Sequence, residues 1–172
     1  LVATITDAGM QAVFNAASNG LQATISHIGL GDGNYTATPE QTELVNERQN
    51  LPISDTERLS INQIRVAAVA SGPASYWVTE AGFYLDDGTL FAIWSNRDQP
   101  LGFKAADGDF IAALDLVLTR VDGNSVTVQT TGPSLAPLIA GPLAANAAAA
   151  ITAQNIALKN QFEILKIKET AQ

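Results

Sequence analysis

His27 is the only histidine among 172 residues, and there is no cysteine, which removes most of the ways a protein holds a metal or activates a nucleophile. A zinc site needs several nitrogen or sulfur ligands, whereas His27 lies in a strand-like run beside Ile25 and Ile28. It would also have to serve any Ser-His-Asp arrangement, and no Gly-x-Ser-x-Gly elbow is present. The carboxylate pairs Asp86-Asp87 and Asp107-Gly108-Asp109 could do acid–base work or bind a hard cation. Both fall at predicted turns, where Asp satisfies local backbone amides, and neither has the oxygen count of a calcium loop. Gly29-Leu30-Gly31-Asp32-Gly33 has the glycine spacing of a phosphate cradle, but such loops lead into a helix, and Asn34-Tyr35-Thr36-Ala37 follows. These glycines are expected to allow a tight turn or the approach of a neighbouring chain. No catalytic site, cofactor or metal is expected.

The aromatics Tyr76, Trp77, Phe83, Tyr84, Phe91 and Trp94 gather in one apparent hairpin. They could form a carbohydrate- or protein-binding surface, or alternate members could fill a core. A carbohydrate-binding module is therefore the alternative to a structural role. A hydrolase using Asp107 and Asp109 ranks below it.

Composition narrows the class further. Seventeen acidic residues against nine basic ones give a net charge of −8, which opposes the counterion release that draws proteins onto nucleic acid. Only 15% of residues are charged, against about 25% in an average soluble protein, which suits a chain that lives inside an assembly. Apolar runs are broken by Pro, Asn and Thr short of the roughly 20 residues of a membrane span, so no membrane insertion is expected. The start, from Leu1 to Asp7, has no basic run, so no signal peptide is expected.

Several elements can be placed from local patterns. Thr6 to Gly20 reads as a helix, with Thr6 as N-cap, Met10, Val13, Phe14 and Ala17 as its apolar stripe, and Gly20 as the αL stop. Leu21–Leu30 reads as a strand, followed by a loop and a short helix opened by Pro39. Strands are predicted over Leu59–Ala70, Tyr76–Leu85, Leu90–Trp94, Phe110–Arg120 and Ser125–Thr130. Asp86-Asp87-Gly88 and Asp122-Gly123-Asn124 mark two hairpin turns. Phe110–Arg120 is apolar on nearly both faces and is expected at the centre of its sheet.

Gly132-Pro133, Pro137 and Gly141-Pro142 then interrupt any strand or helix interior. From Leu143 to Gln172 there is neither Gly nor Pro, and the run opens with alanines, so one long helix is expected. Ala144, Ile151, Leu158 and Leu165 fit heptad d positions, with Ala148, Asn155, Phe162 and Glu169 at a. An amphipathic helix packing back on the domain would explain the same letters. The resulting expectation is an α+β fold: an antiparallel sheet domain with an N-terminal helix, then a C-terminal stem helix forming a trimeric coiled coil.

Four runs in order carry a more specific signal: Ile5-Thr6-Asp7-Ala8-Gly9, Ile28 to Thr36, Gln41 to Glu47, and Glu80-Ala81-Gly82-Phe83-Tyr84-Leu85-Asp86-Asp87-Gly88-Thr89-Leu90-Phe91-Ala92. Over residues 5 to 130 the chain resembles the N-terminal domain of phage tail-collar fibre proteins, found in contractile-tailed phages and R-type pyocins. The resemblance implies a homotrimeric structural fibre protein, made in the bacterial cytoplasm and carried in a virion tail or tailocin particle. Its N-terminal module would anchor to a baseplate wedge protein, and a distal region outside this chain would meet the host-surface receptor. Residues 1–130 would be the attachment domain, 131–143 a Pro/Gly-rich linker and 144–172 the stem. For baseplate binding the expected residues are Gly29, Gly31, Asp32, Gly33, Asn34 and Tyr35, with the flexible N-terminal residues. For trimerisation they are Ile151, Asn155, Leu158, Phe162 and Leu165.

Overall fold

A computed structural model describes residues 2–96 and 98–170 of the chain, with side chains except for Pro142 and 162–170. The chain divides into two compact units, residues 1–134 and 135–172.

In the first unit the chain runs through β1 (Thr4–Ile5), α1 (Asp7–Ser18), β2 (Ala23–Gly31), β3 (Glu47–Pro52), β4 (Asp55–Ser60) and β5 (Gln63–Ala70). It continues through β6 (Tyr76–Val78), β7 (Glu80–Leu85), β8 (Leu90–Ser95), β9 (Gly102–Lys104) and β10 (Phe110–Val117), then a 3₁₀ turn (Gly123–Ser125) and β11 (Val126–Val128). The largest sheet has the order β1-β8-β7-β2-β11, with β3 also on β2. One edge of β2 pairs with β7, and the other with β11 along Ala23–Ile25 and β3 along His27–Gly31. Its pairings are antiparallel except β11 on β2, which is parallel. A second sheet runs β10-β5-β4, and β6 with β9 forms a two-stranded ribbon.

Helix α1 starts where the sequence places it. Thr6 Oγ1 accepts the Gly9 amide at 2.9 Å and donates to the Leu90 carbonyl, so the cap also ties the helix to β8. Gly20 has φ +70°, the left-handed stop that glycine adopts without a Cβ clash. The apolar stripe is rotated from expectation. Gly9 and Val13 are the buried positions, Met10, Ala12 and Ala16 pack partly against the core, and Phe14 is 67% exposed. Glycine sets this rotation: a Cβ on Gly9 would lie 2.6 Å from Phe91 Cα, so the helix seats against β8 on its smallest residue.

Several strand predictions are corrected by long-range pairing. The Leu59–Ala70 run is a hairpin, β4 and β5, turning at Ile61 and Asn62. Strands β3 and β9 had too little alternation to be read, and no helix follows Pro39. Asp86-Asp87-Gly88 does turn a hairpin, with Gly88 at φ +85°. Asp122-Gly123-Asn124 does not: β10 pairs with β5 while β11 crosses to β2. Arg58 holds this crossing, donating to the carbonyls of Gly123 at 3.1 Å and Val126 at 2.9 Å. Strand β10 is an edge strand with Ala112, Leu114 and Leu116 inward, not a central one.

The second unit is one helix, α2 (Ala136–Thr170). It contains Gly141 and Pro142, which the sequence reading placed in a linker. Pro137 falls in the first turn, where a missing N–H leaves no acceptor unsatisfied, and helical propagation through the alanines carries the chain past Pro142. The residues described from Ala144 to Gln161 are exposed. By length and composition Ala136–Gln161 is apolar enough to cross a membrane. The Pro, Asn and Thr that break its apolar runs are uncharged, and Lys159 is the segment's single charge.

Candidate functional site

The glycine-rich run ends at a buried carboxylate that the sequence reading did not single out. Gly29 and Gly31 lie on β2 opposite Gly82 and Glu80 of β7, so the two motifs with the most glycine become adjacent strands. The Glu80 side chain is fully buried. Its Oε1 accepts the amides of Gly33 at 3.0 Å and Asn46 at 2.8 Å. Its Oε2 accepts the Tyr35 hydroxyl at 2.7 Å and the Val45 amide at 3.0 Å. Among the described residues these partners are neutral, and four donors on one carboxylate compensate for its removal from water.

The glycines exist to let this happen. A Cβ on Gly31 would collide with Glu80 Oε1 and the Asn46 carbonyl, and one on Gly33 would lie 2.6 Å from Glu80 Cδ. A Cβ on Gly29 would meet the Tyr84 ring at 2.8 Å and Leu44 Cδ1 at 2.9 Å. Thr79 completes the cradle, its hydroxyl donating to the Gly33 carbonyl at 2.8 Å. Burial, then the Glu80 hydrogen bond and its negative charge, push the Tyr35 phenol well above the usual tyrosine range.

Around the carboxylate the segment 32–46 forms a strap without helix or strand. Asp32 accepts Arg48 Nε at 3.0 Å and Nη2 at 2.8 Å, and also the Asn46 side chain at 2.6 Å. The Pro39 carbonyl takes the Asp7 amide at 2.8 Å. Leu44 points inward, forming a small cluster with Leu90 and Ile93 that Tyr35, Ala37 and Tyr84 cover. Asn34 is exposed. Of the six residues expected to bind a baseplate, Gly31, Gly33 and Tyr35 thus touch Glu80, Asp32 is ion-paired with Arg48, and Gly29 is in the sheet.

The other candidates separate. Tyr76, Phe83 and Phe91 are core residues. Tyr76 and Trp77 belong to the β6–β9 ribbon, not the β7–β8 hairpin. Trp77 is 57% exposed and packs against Phe103 in a tilted pair, ring centroids 5.1 Å apart and planes at 53°. His27 lines a shallow cleft of about 260 Å³ with Glu47, Asn50, Tyr84 and Asp86, its Nδ1 2.8 Å from Ser26 Oγ. Asp87 accepts the Thr89 amide at 2.8 Å, and Asp107 occupies a turn at φ +55°. Among the described residues no group of three acidic or histidine side chains could hold a metal. Lys104, also missed from the sequence, is buried and donates to the carbonyls of Gly72, Ala74 and Ala105 at 2.7–3.2 Å. On α2, Ile151, Asn155 and Leu158 are exposed, while the side chains of Phe162 and Leu165 lie outside the described residues.

The family described as phage tail-collar fibre protein, N-terminal, matches residues 1–107. The chain belongs to that family, which gives it a structural role in a tail fibre and a place in the virion tail. No curated protein and no solved structure matches it.

Proposed function

We propose that this chain anchors a homotrimeric receptor-binding fibre to the baseplate of a contractile tail, of a phage or a tailocin, by contact with a wedge protein. The observation that carries this reading is the family match over residues 1–107, which spans the whole strap and its cradle. Helix α2 begins the stem, where Ile151, Asn155, Leu158, Phe162 and Leu165 meet their counterparts in two other copies. Exposed apolar residues on a long helix, among them Ile151 at 58% and Leu158 at 51%, support a partner, because helices draw most of their stability from packing. Co-sedimentation of the purified chain with tail particles lacking fibres tests the attachment. Binding is expected, and its absence would overturn this reading. The outward Trp77–Phe103 pair supports a second reading, a sugar-contacting surface, which predicts glycan binding lost in Trp77→Ala.

A further inference from the structure

The strap 32–46 is fastened to the rest of its unit mainly through one group. The amides of Gly33, Val45 and Asn46 and the Tyr35 hydroxyl all donate to the Glu80 carboxylate, and the Thr79 hydroxyl adds a bond to the Gly33 carbonyl. Leu44 is the strap's single buried apolar side chain. Asp32 pairs with Arg48 at the surface, where an ion pair contributes little. The Pro39 carbonyl takes the Asp7 amide, a donor that the first turn of α1 cannot satisfy within the helix. Opening the strap returns the carboxylate to water, and that rehydration offsets much of what its four hydrogen bonds contribute. The β2–β7 ladder is backbone pairing over the main core and has no such release.

We infer that the strap is a lid that opens as one unit while the sheet stays folded, with the Glu80 carboxylate as its latch. It hinges where β2 ends at Gly31 and β3 begins at Glu47. Opening lifts Leu44 from Leu90 and Ile93 and withdraws the Pro39 carbonyl from the start of α1. The open state bares the carboxylate and the apolar slot that Leu44 fills, both hidden in the closed fold. The latch needs two acceptor oxygens, because each takes two donors. Glu80→Gln turns one of those acceptors into a donor that faces donors. This device goes beyond the attachment reading and does not depend on it.

Native-state hydrogen exchange of the full chain in low denaturant tests the lid. The Gly33, Val45 and Asn46 amides are expected to exchange together, faster and with weaker denaturant dependence than the amides of the β2–β7 ladder. Ile64→Val, a change in the main core away from the strap, should speed the ladder amides several-fold and leave the strap amides unchanged, since the open and closed lid share that core. Glu80→Gln should speed the strap amides roughly tenfold or more, as for losing a hydrogen bond to a charged group. If Glu80→Gln does not fold, Tyr35→Phe, which keeps the carboxylate, should speed the same amides and decides the matter. Strap amides that share the denaturant dependence of the ladder, or that respond equally to Ile64→Val, overturn the lid. Strap exchange indifferent to the latch variants overturns the role of Glu80.

Discussion

The Tyr35 hydroxyl donates to Glu80 Oε2 at 2.7 Å across 45 residues of sequence, and the same oxygen takes the Val45 amide. Removing this one donor leaves the carboxylate three of its four partners. Tyr35→Phe is therefore expected to lower unfolding stability by about 1.5–3 kcal/mol, the range for a hydrogen bond to a charged group, without unfolding the chain. Denaturant titration of the two proteins measures it, and equal midpoints would contradict the role given to the Tyr35 hydroxyl.

Two glycines in helices predict unequal effects. A Cβ at Gly9 would press on the Phe91 backbone, whereas at Gly141 nothing lies within 4 Å. Gly9→Ala should cost about 1–3 kcal/mol or more through overpacking. Gly141→Ala should stay within about 0.5 kcal/mol of the parent, as at an exposed site, because the gain from replacing a helical glycine is opposed by the crowding of a Cβ just before Pro142. Thermal unfolding followed by circular dichroism checks both, and equal effects would show that the close approach of α1 to β8 is not what holds Gly9.

What was legible in the sequence was local. The Thr6 cap, the Gly20 stop and the Asp86-Asp87-Gly88 hairpin each follow from residues within a few positions of one another. Asp122-Gly123-Asn124 carries the same turn signal but obeys a distant constraint, the Arg58 clamp and the pairing of β11 with β2. Glu80 lay inside the family motif yet drew no notice as a site, because its partners stand 34 to 47 residues away. The long C-terminal helix was legible from its alanines, but its start was not, since two prolines and a glycine inside it argue locally for a linker.

The misread stripe of α1 makes its own prediction. Val13 is 6% exposed and Phe14 is 67% exposed, although the spacing alone marks both as core. Val13→Ala should cost about 1–3 kcal/mol, as for removal of buried methyl groups. Phe14→Ser should stay within about 0.5 kcal/mol of the parent, as for an exposed site. Chemical denaturation of both variants checks the assignment, and the reverse order of cost would contradict it.

All three tyrosines are held above their ordinary value. Burial is the main cause at each: Tyr76 is pushed up to about 12, and Tyr35 and Tyr84 go higher beside Glu80 and Glu47. A phenol ionised in the unfolded chain but still neutral in the fold leaves the folded state with more protons, so stability falls as pH rises. The loss should begin near pH 10, where unfolded tyrosine ionises, and continue to about 12 for Tyr76. Its slope should be roughly 1–2 kcal/mol per pH unit for each tyrosine involved. Denaturant midpoints measured across this alkaline range are expected to fall, less steeply in Tyr76→Phe. A flat profile would mean these phenols ionise alike in both states.

The most direct test of fibre assembly is the solution mass of the whole chain by light scattering, beside a variant carrying Ile151→Asp and Leu158→Asp. A species near three times 18.0 kDa that dissociates in the variant is the predicted result. A wild-type monomer, or a trimer indifferent to both aspartates, would contradict the proposed stem.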